Sequence, residues 1–272
     1  MIRLKDSRLR SYPGFVPAED LMAHYIFSDI HGCIDELREL YALVAPSGDD
    51  TIVIAGDLID RGPDSPAVVR FFRELSSKQS VVLVSGNHEY KHSRYRRNCI
   101  NNPKSARDML KFNGELQRIT EALSSDDITF LDSAVLFYTI PDCRTVVLHG
   151  GITPNMRSLP NNASGWSKFD AHILYIRRID PAGNMVRLGA ERGDCSFWAD
   201  TYDGRFGHIL FGHEPFIGHD RPVKFKHATG LDLGCVFGGH LACVRFDCEI
   251  SNYFTVKART AYASRHGNPE DV

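Results

Sequence analysis

Short apolar runs alternating with amphipathic stretches organise the first 90 residues. The runs at 23–28 (AHYIFS), 51–56 (TIVIAG) and 80–86 (SVVLVSG) are apolar at most positions, the pattern of strands covered on both faces. Between them, 33–44 places Ile34, Leu37, Leu40 and Tyr41 on one helical face, and 65–75 (SPAVVRFFREL) reads as a second helix. This alternation predicts parallel strands. Residues 88–133 are polar and predict helix, with SARDMLKFNGELQRITEAL as the main piece and a weak point at Gly114. Strand character returns at 134–140 and 144–150, joined by a turn at Pro141 and Asp142, and again at 207–212, 228–234 and 240–247. The second half is therefore expected to form a second sheet packed on the first. The stretch 153–193, rich in Pro, Gly, Asn and Ser, is expected to form long loops. Residues 1–22 read as an N-terminal arm, 23–258 as one domain and 259–272 as a frayed tail.

The strands end in ionisable groups. Asp29 and His31 follow the first, Asp57, Asp60 and Arg61 the second, and Asn87 and His88 the third, at intervals of about 30 residues, the length of a strand–helix unit. His149 ends RTVVLHGG and His213 ends GHILFGH in the same way. Open α/β sheets gather ligands at the carboxyl ends of their strands. Three oxygen donors (Asp29, Asp57, Asn87) and three imidazoles (His31, His149, His213), with no Cys, suit Mn, Fe or Zn better than Ca or Mg. They are too many for one tetrahedral ion, so two ions sharing a carboxylate fit better. Taken singly, Asp29 or Asp57 is as readily a helix N-cap, and Asp60–Arg61 a surface turn. Asp232 in LDLG is either a partner for a ligand histidine or a turn former. The other histidines, His92 among them, read as surface or packing residues.

The motifs DIHG, GDLIDRG, GNHE, HGG and GH, in this order, resemble the calcineurin-like metallophosphoesterases. They resemble most the phosphoprotein-phosphatase branch, in the bacterial form that includes symmetrical diadenosine-tetraphosphate hydrolases. The resemblance runs from about Tyr25 to Phe246, and LDLGCVFGGHLACVRF is similar to the closing segment of those hydrolases. It implies an α/β fold with a two-sheet β-sandwich core flanked by helices, in four layers (α/β/β/α). It implies two divalent metal ions, Mn first, with Fe or Zn as alternatives. Asp29 and His31 would hold one ion, Asp57 would bridge, and Asn87, His149 and His213 would complete the other. His88 would be the general acid, oriented by Asp60, and Arg61 would grip the phosphate.

The activity so implied is a hydrolase in which a metal-bridging hydroxide attacks a phosphate ester or anhydride in line, with a dinucleoside polyphosphate or similar small phosphate compound as substrate. A serine/threonine protein phosphatase would use the same site. A polynucleotide-end phosphatase is a weaker option, and a catalytically silent scaffold is the alternative of another class, which the intact residue set disfavours. Some positions depart from the pattern. Ser28 stands where Gly is frequent, and Glu214 where Thr is. Pro215 in GHEP replaces the second His of the GHxH found in nucleases of the wider superfamily, leaving one ion with three protein ligands. The LWSDP segment of eukaryotic protein phosphatases is missing, and FWADTYDGRFG (197–207) stands in that region. The second phosphate-binding arginine then falls to Arg177, Arg178 or Arg205.

Composition narrows the partners. A formal net charge of −2 supplies no bulk field for nucleic acid or membrane. The basic run KHSRYRR (91–97) reads first as a solvated helix face and second as a local attractor for polyphosphate or nucleic acid. No apolar run is long enough to span a bilayer, and the basic N-terminus lacks the apolar core of a secretory signal. The seven scattered cysteines, odd in number and without a CxxC pair, predict reduced thiols in a cytoplasmic setting.

Overall fold

The computed structural model describes residues 22–264, apart from 112–113, 163–165 and 168–169, so the expected arm up to residue 21 and the tail from 265 lie outside the described residues. Strands β1 (His24–Phe27), β2 (Thr51–Ile54) and β3 (Val81–Leu83) pair in parallel and are separated by α1 (Ile34–Val44) and α2 (Ser65–Ser76), as the alternation predicts. Their side chains divide by parity. Tyr25, Phe27, Ile52 and Ile54 pack with Leu37 and Leu40 of α1 and Val68 and Phe72 of α2, whereas Ile26, Val53 and Ala55 point the other way. Both faces are apolar because both are covered.

The polar stretch after β3 is helical from Asn87 onward, one residue ahead of expectation. It forms α3 (Asn87–Asn101), α4 (Pro103–Leu110), α5 (Glu115–Ala122) and α6 (Ser125–Asp132). The expected main helix is represented by two, α4 ending at Leu110 and α5 starting at Glu115 directly after Gly114. Strands β4 (Phe137–Ile140) and β5 (Thr145–Leu148) form the antiparallel hairpin foreseen around Pro141 and Asp142. The region expected to be loops carries more order. It holds a 3-10 helix at Asp170–Leu174 and a small sheet of β6 (Arg178–Ile179), β7 (Met185–Val186) and β8 (Ser196–Phe197), in the order β7-β6-β8. Helix α7 (Trp198–Thr201) follows, then β9 (His208–Phe211), β10 (Val223–Lys224), β11 (Ala228–Gly230), β12 (His240–Phe246) and β13 (Ile250–Lys257).

Two mixed five-stranded sheets result, ordered β13-β12-β1-β2-β3 and β10-β11-β9-β5-β4. Ile26, Val53 and Val244 of the first pack against Ile140, Val147 and Leu210 of the second. The second sheet's outer face, with Val146, Leu148, Ile209 and Phe211, is covered by Ile173, Leu174 and Trp198. This is the expected four-layer sandwich. Strand β13 is the longest and the sequence did not announce it, because an edge strand that leaves Tyr253 46% exposed carries no continuous apolar run.

Cys143, in the β4–β5 turn, is bonded to Cys248, in the β12–β13 turn, with Cα atoms 5.0 Å apart. The bridge ties the margins of the two sheets together and corrects the expectation of seven reduced thiols: residues 105 apart in sequence become neighbours only when the sheets stack. The chain also stays packed beyond residue 258. The Arg259 N–H and the Tyr262 hydroxyl donate to Glu36 Oε1 at 3.0 and 2.8 Å. Among the described residues no helix is long and apolar enough to cross a membrane.

Candidate active site

The carboxyl ends of β1, β2, β5 and β9 meet the N-terminus of α3. The Asp29 N–H donates to the Gly56 carbonyl (3.2 Å), the His31 N–H to the Asp57 carbonyl (2.9 Å) and the Gly212 N–H to the His149 carbonyl (3.0 Å). Asp29, His31, Asp57, Asp60, Arg61 and His213 all have φ between 46° and 71°, a region that residues other than glycine rarely enter. Such conformations cost on the order of 1–3 kcal/mol each and persist only where the surroundings enforce them. Here the two loops interlock, so closely that a Cβ on Gly62 would lie 1.8 Å from the His31 carbonyl oxygen. At Gly56, with φ 90°, a Cβ would lie 2.5 Å from His149 Nδ1. Gly62→Ala is therefore expected to lower folding stability by at least about 2 kcal/mol and to abolish turnover. A urea titration and a phosphatase assay on the same preparation check both.

The structure brings the six expected ligands and His88 together, all buried. Asp57 is at the centre. Its Oδ2 lies 3.4 Å from Nε2 of both His31 and His149 and 3.9 Å from Nε2 of His88. Two ligand triads share it, His31–Asp57–His88 and Asp57–His149–His213. Asn87 Oδ1 is 3.0 Å from His149 Nε2. Asp29 borders the second triad, its carboxylate accepting from the His213 N–H (3.0 and 3.2 Å) and the Ser28 hydroxyl. The imidazoles are preset by their outer nitrogens. His31 Nδ1–H donates to the Ile59 carbonyl and His149 Nδ1–H to the Ala55 carbonyl, both at 2.8 Å, and His88 Nδ1–H donates to Asp60 Oδ2 at 2.6 Å. Each therefore turns Nε2 inward.

The electrostatics suit cations. Burial, and then the like charges of Asp232 and Asp57, push the Asp29 carboxyl well above its usual range. Burial favours neutral His149, but Asp57 and Asp29 overcome it and hold its pKa at about 9, so a proton stands where positive charge is wanted. Both ring nitrogens of His213 and Nε2 of His88 are buried without a hydrogen-bond partner, an arrangement that costs free energy unless something meets these polar groups. Orphaned imidazole nitrogens beside crowded carboxylates fit divalent metal ions.

Two further groups were not singled out in the sequence. Glu89, in the first turn of α3, accepts from the N–H groups of Asp57, Leu58 and Gly86, each at 2.8 Å, and so fixes the turn that carries Asp57. Burial and the nearby Asp57 raise its pKa to about 7. His92, expected to be a packing or surface residue, is fully buried and lies 2.7 Å from Asp60 Oδ1 through Nε2. Its spacing of four from His88 on a helix was the available signal. Lys91 Nζ stands 3.3 Å from Asp60 Oδ2, so the run 91–97 is not a uniformly solvated face: Lys91, His92 and buried Tyr95 turn inward. Against burial, His92 and His88 hold the Asp60 carboxyl well below its usual range.

A cavity of about 350 Å³ opens from His213 and is lined by Arg61, Arg177, Arg178, Glu214 and Asp232. Arg61 Nη1 donates to His31 Nε2 at 2.9 Å, and Arg177 Nη2 to the His213 carbonyl at 2.9 Å. Arg205 is not there. Its guanidinium is tied to Asp203 and to the carbonyls of Pro154 and Met156, which removes it from the candidates. Asp232 accepts from the Gly234 N–H at 2.8 Å, the turn-forming bond, while bordering the cavity.

Comparison with known proteins agrees with this arrangement. The family model described as calcineurin-like phosphoesterase matches residues 22–243. The chain is 33% identical to the bis(5'-nucleosyl)-tetraphosphatase PrpE (asymmetrical) of Bacillus velezensis, over 83% of this chain and 89% of the relative. It is 35% identical to the symmetrical bis(5'-nucleosyl)-tetraphosphatase of Pectobacterium carotovorum, over 91% and 99%. Among solved structures, a candidate diadenosine tetraphosphatase superposes with a TM-score of 0.66 at 24% identity, covering 89% of this chain and 96% of that one. Strand-end ligands, a stacked pair of sheets and near full-length relatives converge: the chain belongs to the calcineurin-like phosphoesterase family, hydrolases of phosphoesters whose fold implies a dinuclear divalent metal site.

Proposed function

We propose that the chain hydrolyses dinucleoside polyphosphates, transferring a phosphoryl group directly to water. The observation that supports it most is the pair of buried ligand triads sharing Asp57, beside a cavity lined by three arginines. Asp29, His31 and Asp57 would hold one divalent ion, and Asp57, Asn87, His149 and His213 the other. Manganese suits this mixed oxygen and imidazole donor set, which contains no thiolate. When bound, the ions supply positive charge for the phosphate oxygens and lower the pKa of water.

The rest falls to side chains. Arg61 and Arg177 flank the triads and grip the equatorial oxygens of the reacting phosphate. His88 Nε2 faces inward and delivers a proton to the leaving oxygen. Burial and the Lys91 and Arg61 charges, opposed by Asp57, set its pKa at about 4 in the metal-free protein. The negative charge of an arriving phosphate favours the imidazolium, and Asp60, held by His92, stays ionised to receive the Nδ1–H. The names of the relatives supply the substrate class. A cytoplasmic location is part of the same proposal and is supported by five free thiols, with the Cys143–Cys248 bridge standing against it.

The test is a side-by-side assay in Mn²⁺ of diadenosine tetraphosphate, p-nitrophenyl phosphate and a phosphoserine peptide. The nucleotide is expected to have the highest kcat/KM, and its products show whether the cut is symmetrical. A tenfold preference for the peptide overturns this reading in favour of a protein phosphatase.

A further inference from the structure

We propose that Arg178 binds the phosphate adjoining the reacting one, so that the site selects polyphosphate chains over monoesters. The inference rests on the reading that Arg61 and Arg177 border the reacting phosphate. Arg61 reaches His31 of one triad, and Arg177 reaches the carbonyl of His213 in the other while its Nε lies 3.3 Å from Glu214 Oε2. Arg178 lines the same cavity but is held differently. It pairs across the strands with Phe197, and its guanidinium lies over that ring, 5.1 Å from the centroid. Among the described residues it has no carboxylate or carbonyl partner.

A ring face fixes the plane of a guanidinium while using none of its five N–H donors. Arg178 is thus pre-oriented on a paired strand with its donors available, a low-entropy arrangement for gripping an anion. One phosphate is already served by Arg61, Arg177 and the ligand triads, so a third guanidinium gains most from a second phosphate. The cavity volume of about 350 Å³ is at the small-ligand end of binding sites, ample for a short phosphate chain.

The test uses competitive inhibition of p-nitrophenyl phosphate turnover by inorganic tripolyphosphate and by orthophosphate, in the full chain at matched metal concentration. In Arg178→Gln, which keeps a planar group to rest on Phe197, the inhibition constant for tripolyphosphate is expected to rise about 10–100-fold. That for orthophosphate is expected to move less than about threefold. Arg178→Lys, retaining charge without the fork, should fall between, and unchanged thermal midpoint and metal content exclude misfolding. Equal shifts for both anions would place Arg178 on the reacting phosphate and overturn the proposal, as would no shift for tripolyphosphate. If neither anion inhibits the unaltered protein, the cavity reading itself fails, and this proposal with it. Diadenosine tetraphosphate in a third arm separates the sources: a loss confined to it would mean that Arg178 reads the nucleoside.

Discussion

Asp57→Asn is expected to lose bound metal and turnover together, with activity falling by at least about 10³-fold, equivalent to roughly 4 kcal/mol of transition-state stabilisation. Asp57 is the only residue common to both triads. The substitution keeps the shape of the side chain but removes the negative charge that lies 3.4 Å from His31 and from His149. Its main-chain role survives, since Glu89 still receives the N–H of residue 57. The variant should therefore fold, with an unchanged far-UV spectrum, and the loss can be assigned to the site. Metal content by elemental analysis beside kcat on p-nitrophenyl phosphate is the measurement. Retention of both ions with unaltered turnover would remove Asp57 from the centre.

His88→Ala is expected to separate what Asp57→Asn combines. Turnover should drop about 10²–10⁴-fold while metal content stays near that of the unaltered protein. Geometry makes this a sharp test, because His88 Nε2 completes a ligand triad with His31 and Asp57, whereas its Nδ1 is spoken for by Asp60. A metal ligand and a proton donor would present the same nitrogen to the cavity. As an acid, His88 matters most when the leaving oxygen is basic, so the loss should shrink on aryl phosphates whose leaving groups need no proton. A parallel loss of metal, equal on all esters, would make His88 a ligand instead.

Much of the site was legible because its residues follow apolar runs. Strands buried on both faces are conspicuous, and metal-binding residue types recur at the ends of several of them, so Asp29, Asp57, His149 and His213 stood out as a set. His92 and Lys91 did not, because their purpose is set by Asp60, some 30 positions away in sequence, and a basic helical run reads as a solvated face until its inner side is known. Choosing among the three arginines needed the path of 153–197: Arg205 is absorbed by Asp203, while Arg177 and Arg178 are carried to the cavity by the small β7-β6-β8 sheet.

Side-chain periodicity acts within a few residues, and so β1 to β5, β9, β11, β12, helices α1 and α2 and the candidate ligand types could be read from the sequence itself, whereas β6 to β8, β10 and β13 could not. Tertiary structure alone decided that Asp57 serves two triads, that Cys143 meets Cys248, and that Arg178 rests on Phe197 beside the cavity. These pairings join residues from separate elements, and their distances exist only once the two sheets are stacked and the loops between them interlocked.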